Sequence, residues 1–268
     1  MFTRDALEYL RTVLHRDFTA TVVAGTDATV LPLPKDLVLH DLERFQAHPN
    51  AVRAAVQLLN VDSFCDYVNR FATEVSTIYL DTASGKFAAV IDHHDREPAW
   101  CQHRAIFEPR LSAEWVAWRT IHGNKLSQIE FAHFVEAQLD TISYPEPAEI
   151  LKAALDFQSN ESLVLGSAMN LDDGSTRFNF VKDNVARSVK FPHRIGLFVP
   201  IYSNENPQDI ELRIRYRSSS DGALSFFITF VQNPVVIEEK GLNTLATLVR
   251  HKCEKVSHLY NGVPPASK

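Results

Sequence analysis

The chain has 268 residues, 45% of them hydrophobic and 22% charged, ordinary globular usage that excludes a disordered, collagenous or low-complexity protein. That length suits one large domain or two small ones. Lys and Arg number 27 against 33 Asp and Glu, a net charge of −6, so the protein as a whole is not a polycation that displaces counterions from nucleic acid. No apolar run reaches the roughly 18 residues of a membrane span. The start, MFTRDALEYL, lacks the basic-then-apolar order of a secretory signal. Three scattered cysteines, Cys65, Cys101 and Cys253, fit a reducing cytoplasm and not a disulfide framework.

In chain order, the first segment reads as a helix capped by Thr3, with Leu7, Leu10 and Leu14 on one face. Residues 20–40 contain Pro32 and Pro34 and read as extended chain. Asn50 to Leu59 and Ser63 to Phe71 read as two short helices, with Val52, Val56 and Leu59 sharing a face in the first. The period then shortens to two. Val75 to Leu80 and Lys86 to Ile91 are strand-like around Ala83-Ser84-Gly85, a hairpin signal, and Cys101 to Phe107 is a third strand.

Helices return after Ser112, a good cap, and stop at Gly123-Asn124. Ser127 and Glu130 form an S-x-x-E capping box before FAHFVEAQLDTI. Pro145 and Pro147 mark the start of a helix over about 147–157. From about residue 160 the pattern is mostly β: Leu163 to Leu171, Thr176 to Val181, and Ile195 to Tyr202. The clearest hairpin follows. Ile210, Leu212, Ile214 and Tyr216 alternate with Glu211, Arg213, Arg215 and Arg217, and Leu224, Phe226, Ile228 and Phe230 answer across SSSDG. Gly241 to Lys255 reads as a final helix before a frayed tail, NGVPPASK.

This order predicts an α+β protein, a single domain over 1–268 divisible into two lobes. The first, 1–158, is expected to be mainly helical with a small three-stranded antiparallel sheet. The second, 159–268, is expected to be mainly antiparallel β with a final helix.

Four residue sets could carry chemistry. His93, His94 and Asp95, with His103 eight residues past Asp95, are ligands that suit zinc or iron. If strands 86–91 and 101–107 pair, His93 and His103 approach each other. The plainer reading is a polar loop, since no fixed motif such as H-E-x-x-H is present. On the 127–142 helix, Glu130, His133, Glu136 and Asp140 gather opposite Phe131, Phe134, Val135 and Leu139. Glu130 and His133 have di-iron spacing, but no second E-x-x-H occurs in the chain. An acidic solvated or interface face is the preferred reading.

Arg213, Arg215 and Arg217 repeat at about 7 Å along one sheet face. That stripe could meet phosphates or a carboxylate-rich surface, but a solvated or aggregation-resistant face is preferred. Trp100, Trp115 and Trp118 flank the histidines and build either core or a pocket wall. No P-loop, dinucleotide fingerprint, nucleophile elbow or C-x-x-C is present, and only nine glycines occur.

The block AAVIDHHDREPAWCQHRAIFEPRLSAEWVAW, with QIEFAHFVEAQLDTI, PEPAEIL, SFCDYVNRF and LRIRYRSSSDGALSF, resembles the YfdQ-like family. These are prophage- and phage-encoded bacterial proteins classed as a domain of unknown function. The resemblance spans about residues 60 to 250. It implies phage or prophage origin and action in the bacterial cytoplasm, and brings no catalytic residues with it.

The leading expectation is therefore a non-enzymatic accessory protein that self-associates and binds a macromolecular partner of host or phage, in host takeover, counter-defence or support of phage DNA metabolism. No cofactor and no membrane are expected. The alternative is a metal-dependent hydrolase of a phosphorylated small molecule or nucleic acid, with a divalent metal on His93, His94, Asp95 and His103. A weaker third option is single-strand nucleic-acid binding through the arginine stripe with Tyr216 and neighbouring aromatics.

Overall fold

A computed structural model of the chain describes residues 46–159, 164–170, 175–182, 185–203, 205–219 and 224–266, together with 21–22 and 29–30. The chain divides into two units, Met1–Val52 and Arg53–Lys268. Within the first, β1 (Thr21–Val22) and β2 (Thr29–Val30) pair antiparallel. The helix expected after Thr3 lies outside the described residues, as does most of the extended 20–40 stretch.

The second unit begins with β3 (Ala54–Leu58), α1 (Val61–Phe71), β4 (Thr77–Asp81), β5 (Lys86–Val90) and β6 (His103–Phe107). Asn60 caps α1 by accepting the Ser63 N–H at 2.8 Å, with Asp62 in the first turn and Arg70 in the last, both favourable to the helix dipole. Val61, Phe64, Cys65 and Val68 recur at helical spacing and are buried. They lie on one face of a five-stranded sheet ordered β15-β4-β5-β6-β3, where β15 is His258–Asn261. The inner pairs are antiparallel. The outer two, β15 with β4 and β3 with β6, are parallel. Phe64, Phe87 and Phe107 meet at centroid distances of 5.8 to 6.4 Å in this core, where each buried ring contributes about 1.5–3 kcal/mol.

The chain continues with α2 (Ala113–Ile121), β7 (Lys125–Ser127), α3 (Gln128–Ala137), β8 (Ile142–Tyr144) and α4 (Pro147–Ser159). Strands β9 (Val164–Asn170), β10 (Ser175–Lys182) and β11 (Val185–Pro192) form a three-stranded antiparallel sheet. Strands β12 (Arg194–Val199), β13 (Gln208–Ser218) and β14 (Leu224–Phe230) are the centre of a second five-stranded sheet, β7-β14-β13-β12-β8, antiparallel throughout. Ser112 caps α2 by accepting the Trp115 N–H. The capping box at α3 is complete, with Ser127 Oγ accepting the Glu130 N–H and Glu130 Oε2 accepting the Ser127 N–H. Trp115, Trp118, Phe131, Phe178, Phe191 and Phe226 fill the core beneath this sheet.

The last helix, α5 (Pro234–Lys252), is capped by Asn233 with Pro234 in its first turn. It is shared. Ile237 lies in the antiparallel core, while Leu242, Leu245 and Val249 lie in the core of the mixed sheet. Gly241 lies between them, where an added Cβ would sit 3.1 Å from Tyr202 Cε2 and 3.3 Å from Ile201 Cβ.

The fold is therefore mixed α/β, with sheets of five, five and three strands besides the β1–β2 pair, and five α-helices among the described residues. It is not a helical first half ahead of a β second half. The segment expected as a 50–59 helix is β3, whose burial alternates residue by residue. Val52 and Leu59, two thirds of the supposed helical face, are exposed. The expected three-stranded antiparallel sheet gains β3 on one edge and β15 on the other, both by long-range parallel pairing that local periodicity cannot reveal. Strand β15 runs into the tail expected to fray at 261–268: Asn261 is its last residue, and the Gly262 N–H donates to Leu80 O at 2.8 Å. Both cores draw on residues from either side of residue 159.

Candidate functional site

The strand pairing of β5 with β6 brings residues 91–103 together at one end of the mixed sheet. Asp92 closes this loop: its two carboxylate oxygens accept the backbone N–H groups of Gln102 and His103, each at 2.9 Å. His103 shares a sheet face with Ala105 and Phe107 and is buried against α1. Its Nε2 lies 2.9 Å from Tyr67 Oη, and its ring packs edge-on to Phe71 at 5.4 Å. Burial pushes its imidazole below the ordinary range, against an opposing pull from Asp92. His93 belongs to the opposite side. Its Nδ1–H donates to His94 O at 3.0 Å, and its Nε2 accepts from Tyr79 Oη–H at 2.7 Å. Tyr79 alternates along β4 with the core residues Ile78 and Leu80, which fixes the side it occupies.

The expected approach of His93 to His103 therefore does not occur, because the pleat sends the two rings to different partners. Asp95 is exposed on the loop. Among the described residues no three His, Cys, Asp or Glu side chains gather as metal ligands.

His94 has a different neighbour, the buried Cys101, whose Sγ lies 3.6 Å from His94 Nε2. Cys101 holds a left-handed backbone, φ 53°, a strained conformation for a side chain with a Cβ. The pair does not form an activated nucleophile. His94 Nδ1 accepts the Ala99 N–H at 2.9 Å, which leaves the ring proton on Nε2, facing the sulfur. The lone pair that a general base needs, on Nδ1, is thus already engaged by the Ala99 N–H, with the sulfur 3.9 Å from that nitrogen. Burial, with the charge of Asp92 added, raises the thiol above its ordinary value. The other cysteines, Cys65 and Cys253, are buried in the core of the mixed sheet, and their thiols are hydrogen-bonded to each other, which lowers Cys65 and raises Cys253.

Of the three tryptophans, Trp100 lines a pocket. It is 68% exposed and walls an open cavity of about 400 Å³ with His94, Pro98, Ala99 and Ala266. Trp115 and Trp118 are fully buried. Their indole N–H groups donate to Glu238 Oε1 and Thr141 Oγ1 at 2.8 and 2.9 Å. Sequence reasoning missed a run of rings leading to His93: His258 stacks on Tyr260, Tyr260 meets Tyr79 at 6.0 Å, and Tyr79 stacks on His93 at 5.7 Å. Only the register of β15 on β4 places Tyr260 beside Tyr79.

Glu130, His133 and Glu136 are exposed on α3, and Asp140 is exposed on the short turn of 3-10 helix after it. Glu130 serves the capping box, and the Ser127 backbone N–H holds its carboxyl below the usual range.

The arginine stripe lies on the antiparallel sheet. Arg213, Arg215 and Arg217 are exposed on the face opposite Leu212, Ile214 and the core. Tyr216 is not with them: it points inward, edge-on to Phe178 at 4.6 Å. The aromatic of the arginine face is Phe227, out of phase with the inward Phe226 and Ile228. It is directly opposite Arg215 on one side and Lys125 on the other, and the Arg217 guanidinium lies 5.8 Å from its ring centroid. Arg194, the register partner of Arg213, adds a further cation and pairs with Glu211 at 2.6 Å.

No helix among the described residues is long and apolar enough to cross a membrane. Neither the curated proteins nor the solved structures include a match to this chain. One family model covers residues 5–263, nearly the whole sequence, and the chain belongs to the family described as "Uncharacterized conserved protein (DUF2303)".

Proposed function

We propose that this chain is a phage- or prophage-encoded accessory protein of the bacterial cytoplasm, non-enzymatic, which self-associates and binds a macromolecular partner. Charge segregation carries the reading. In a chain of net charge −6, basic residues concentrate on the outer face of one sheet, while Glu130, Glu136 and Asp140 are exposed along α3 and its following turn. Complementary faces of this kind steer association and fix its geometry. Contact between the acidic face of one copy and the basic face of another gives a heterologous interface. The phage origin rests on the long strings shared with the YfdQ-like pattern.

Light scattering against salt tests the assembly. At low salt the mass exceeds the 30.3 kDa of one chain. It falls toward that value as salt approaches about 1 M, where the Debye length is about 3 Å. Reversing Glu136 and Asp140 to Lys dissociates the assembly, and Arg213→Glu with Arg215→Glu in the same chain restores it. A monomer at micromolar concentration and low salt defeats the self-association.

A further inference from the structure

The outer face of the antiparallel sheet holds five cations, Lys125, Arg194, Arg213, Arg215 and Arg217, against two carboxylates, Asp209 and Glu211, among the described residues. Glu211 already neutralises Arg194. The excess therefore centres on β13 and β7, around Phe227. A second pair of exposed cations, Arg177 and Lys190, are register partners on β10 and β11, opposite the buried Phe178 and Phe191. Lys190 precedes Arg194 by four residues, and each is followed by a buried residue, Phe191 and Ile195.

Strand β13 is the middle strand of its sheet, and a stripe that only kept the outer face soluble would need charge and no ring. Here a half-buried phenyl ring is set among cations. Its cross-strand neighbours are Arg215 and Lys125, one strand spacing of about 4.8 Å to each side, and Arg217 reaches over it from the diagonal position. Strand β13 repeats its guanidinium groups about every 7 Å, the scale of the step between phosphates in an extended strand. Guanidinium groups bind phosphate with bidentate geometry. A flat ring flanked by them offers a surface for an unstacked base. A duplex does not present base faces outward, so the arrangement fits one strand and not two.

We infer that this face, centred on Phe227 with Arg213, Arg215, Arg217 and Lys125 around it, is a binding site for single-stranded nucleic acid. The inference deepens the proposed function, because it names the chemistry of the partner and rests on that reading of the basic face. Phosphates lie along the arginine track and a base stacks on Phe227. The acidic α3 face of a second copy competes for the same surface.

Fluorescence anisotropy of a fluorescein-labelled oligothymidylate, titrated with the full chain, tests it. Wild-type protein binds at low salt. Arg213→Gln, Arg215→Gln and Arg217→Gln together weaken binding and reduce the slope of log K against log salt by about 2, three phosphate contacts at about 0.7 each. Phe227→Leu lowers affinity about ten-fold and leaves that slope unchanged, since stacking releases no counterions. No anisotropy change at low salt overturns the inference. So does a triple variant with the wild-type slope, or a duplex bound as tightly as the single strand. Polyglutamate binding without oligonucleotide binding also overturns it, while leaving a partner-binding basic face intact. Oligonucleotide binding by a protein that is monomeric in light scattering supports the site and removes only the self-association.

Discussion

Trp115 and Glu238 join α2 to α5 through one hydrogen bond, the indole N–H donating to the carboxylate at 2.8 Å. Arg119 reaches the same oxygen at 3.0 Å. The indole is fully buried, so its donor has no water to turn to. Glu238→Ala is expected to lower stability by about 1–3 kcal/mol in urea denaturation, the cost of an unmet buried donor. Glu238→Gln keeps an acceptor and loses less. Arg119→Ala, at a side chain 44% exposed, costs at most about 1 kcal/mol. Equal losses from Glu238→Ala and Arg119→Ala would show the ion pair, and not the indole bond, to be the stabilising contact.

His103 makes stability depend on pH. Its imidazole lies below the ordinary value near 6.5 because burial disfavours the charged form. Below about 6.5 the unfolded chain binds a proton that the native state does not, so stability rises with pH in that window. The contribution is complete above the unfolded value and is lost as pH falls toward the native one. Urea midpoints measured from about pH 7.5 down to about pH 5 should therefore decline, and His103→Gln should flatten part of that decline. An identical profile in the variant would remove His103 as its source.

Phe226 is the centre of the antiparallel core. It stacks on Phe131 at 4.6 Å and meets Phe191 at 6.0 Å and Phe178 at 6.5 Å. Phe226→Ala is expected to cost about 3–5 kcal/mol through lost burial and the cavity left among three rings. Phe226→Leu retains most of the volume and costs less. Its neighbour Phe227, on the other side of the same strand, should barely move stability when changed to Leu. Thermal melts of the three variants separate the two faces of β14.

Gly241 is fixed by proximity. A valine there places methyl groups where Tyr202 and Ile201 already stand, 3.1 and 3.3 Å from the added Cβ alone. Gly241→Val is expected to destabilise by about 1–3 kcal/mol through overpacking. A second substitution, Tyr202→Leu, should recover part of that loss by making room. Non-additivity in this double-mutant cycle is the readout.

The elements legible in the sequence were those whose signals are local. Ser112, Ser127 with Glu130, and Pro147 each announced a helix start found in the structure. The alternation of Ile210 to Arg217 with Leu224 to Phe230 gave the β13–β14 pairing and the arginine face. Sequence reading failed where a distant strand decides the outcome. Val56 and Leu58 suit a helix or a strand until β6 offers a parallel edge. Likewise, α5 begins seven residues before Gly241, at Pro234 after the Asn233 cap, a local signal that was overlooked.

The candidate sites divide in the same way. Exposure of Glu130, Glu136 and the three arginines follows from period alone. The histidines do not follow from it, because proximity along the chain says nothing about which side of a pleat each ring takes. The face of Phe227 follows from the same alternation, but its neighbours Arg215 and Lys125 needed the register of three strands, β13, β14 and β7. Tyr216 was assigned to the arginine stripe although its own alternation puts it with Ile214, on the buried side.

The division of α5 between two hydrophobic interiors has a consequence for how the molecule comes apart. Its first turns cannot fray without exposing Ile237, nor its last without exposing Val249, so neither sheet can melt while the other keeps the helix docked. Calorimetry should accordingly record one endotherm for residues 53–268, with matching van't Hoff and calorimetric enthalpies. The slowest amide exchange should fall in the middle of this helix, released only when the whole unit opens.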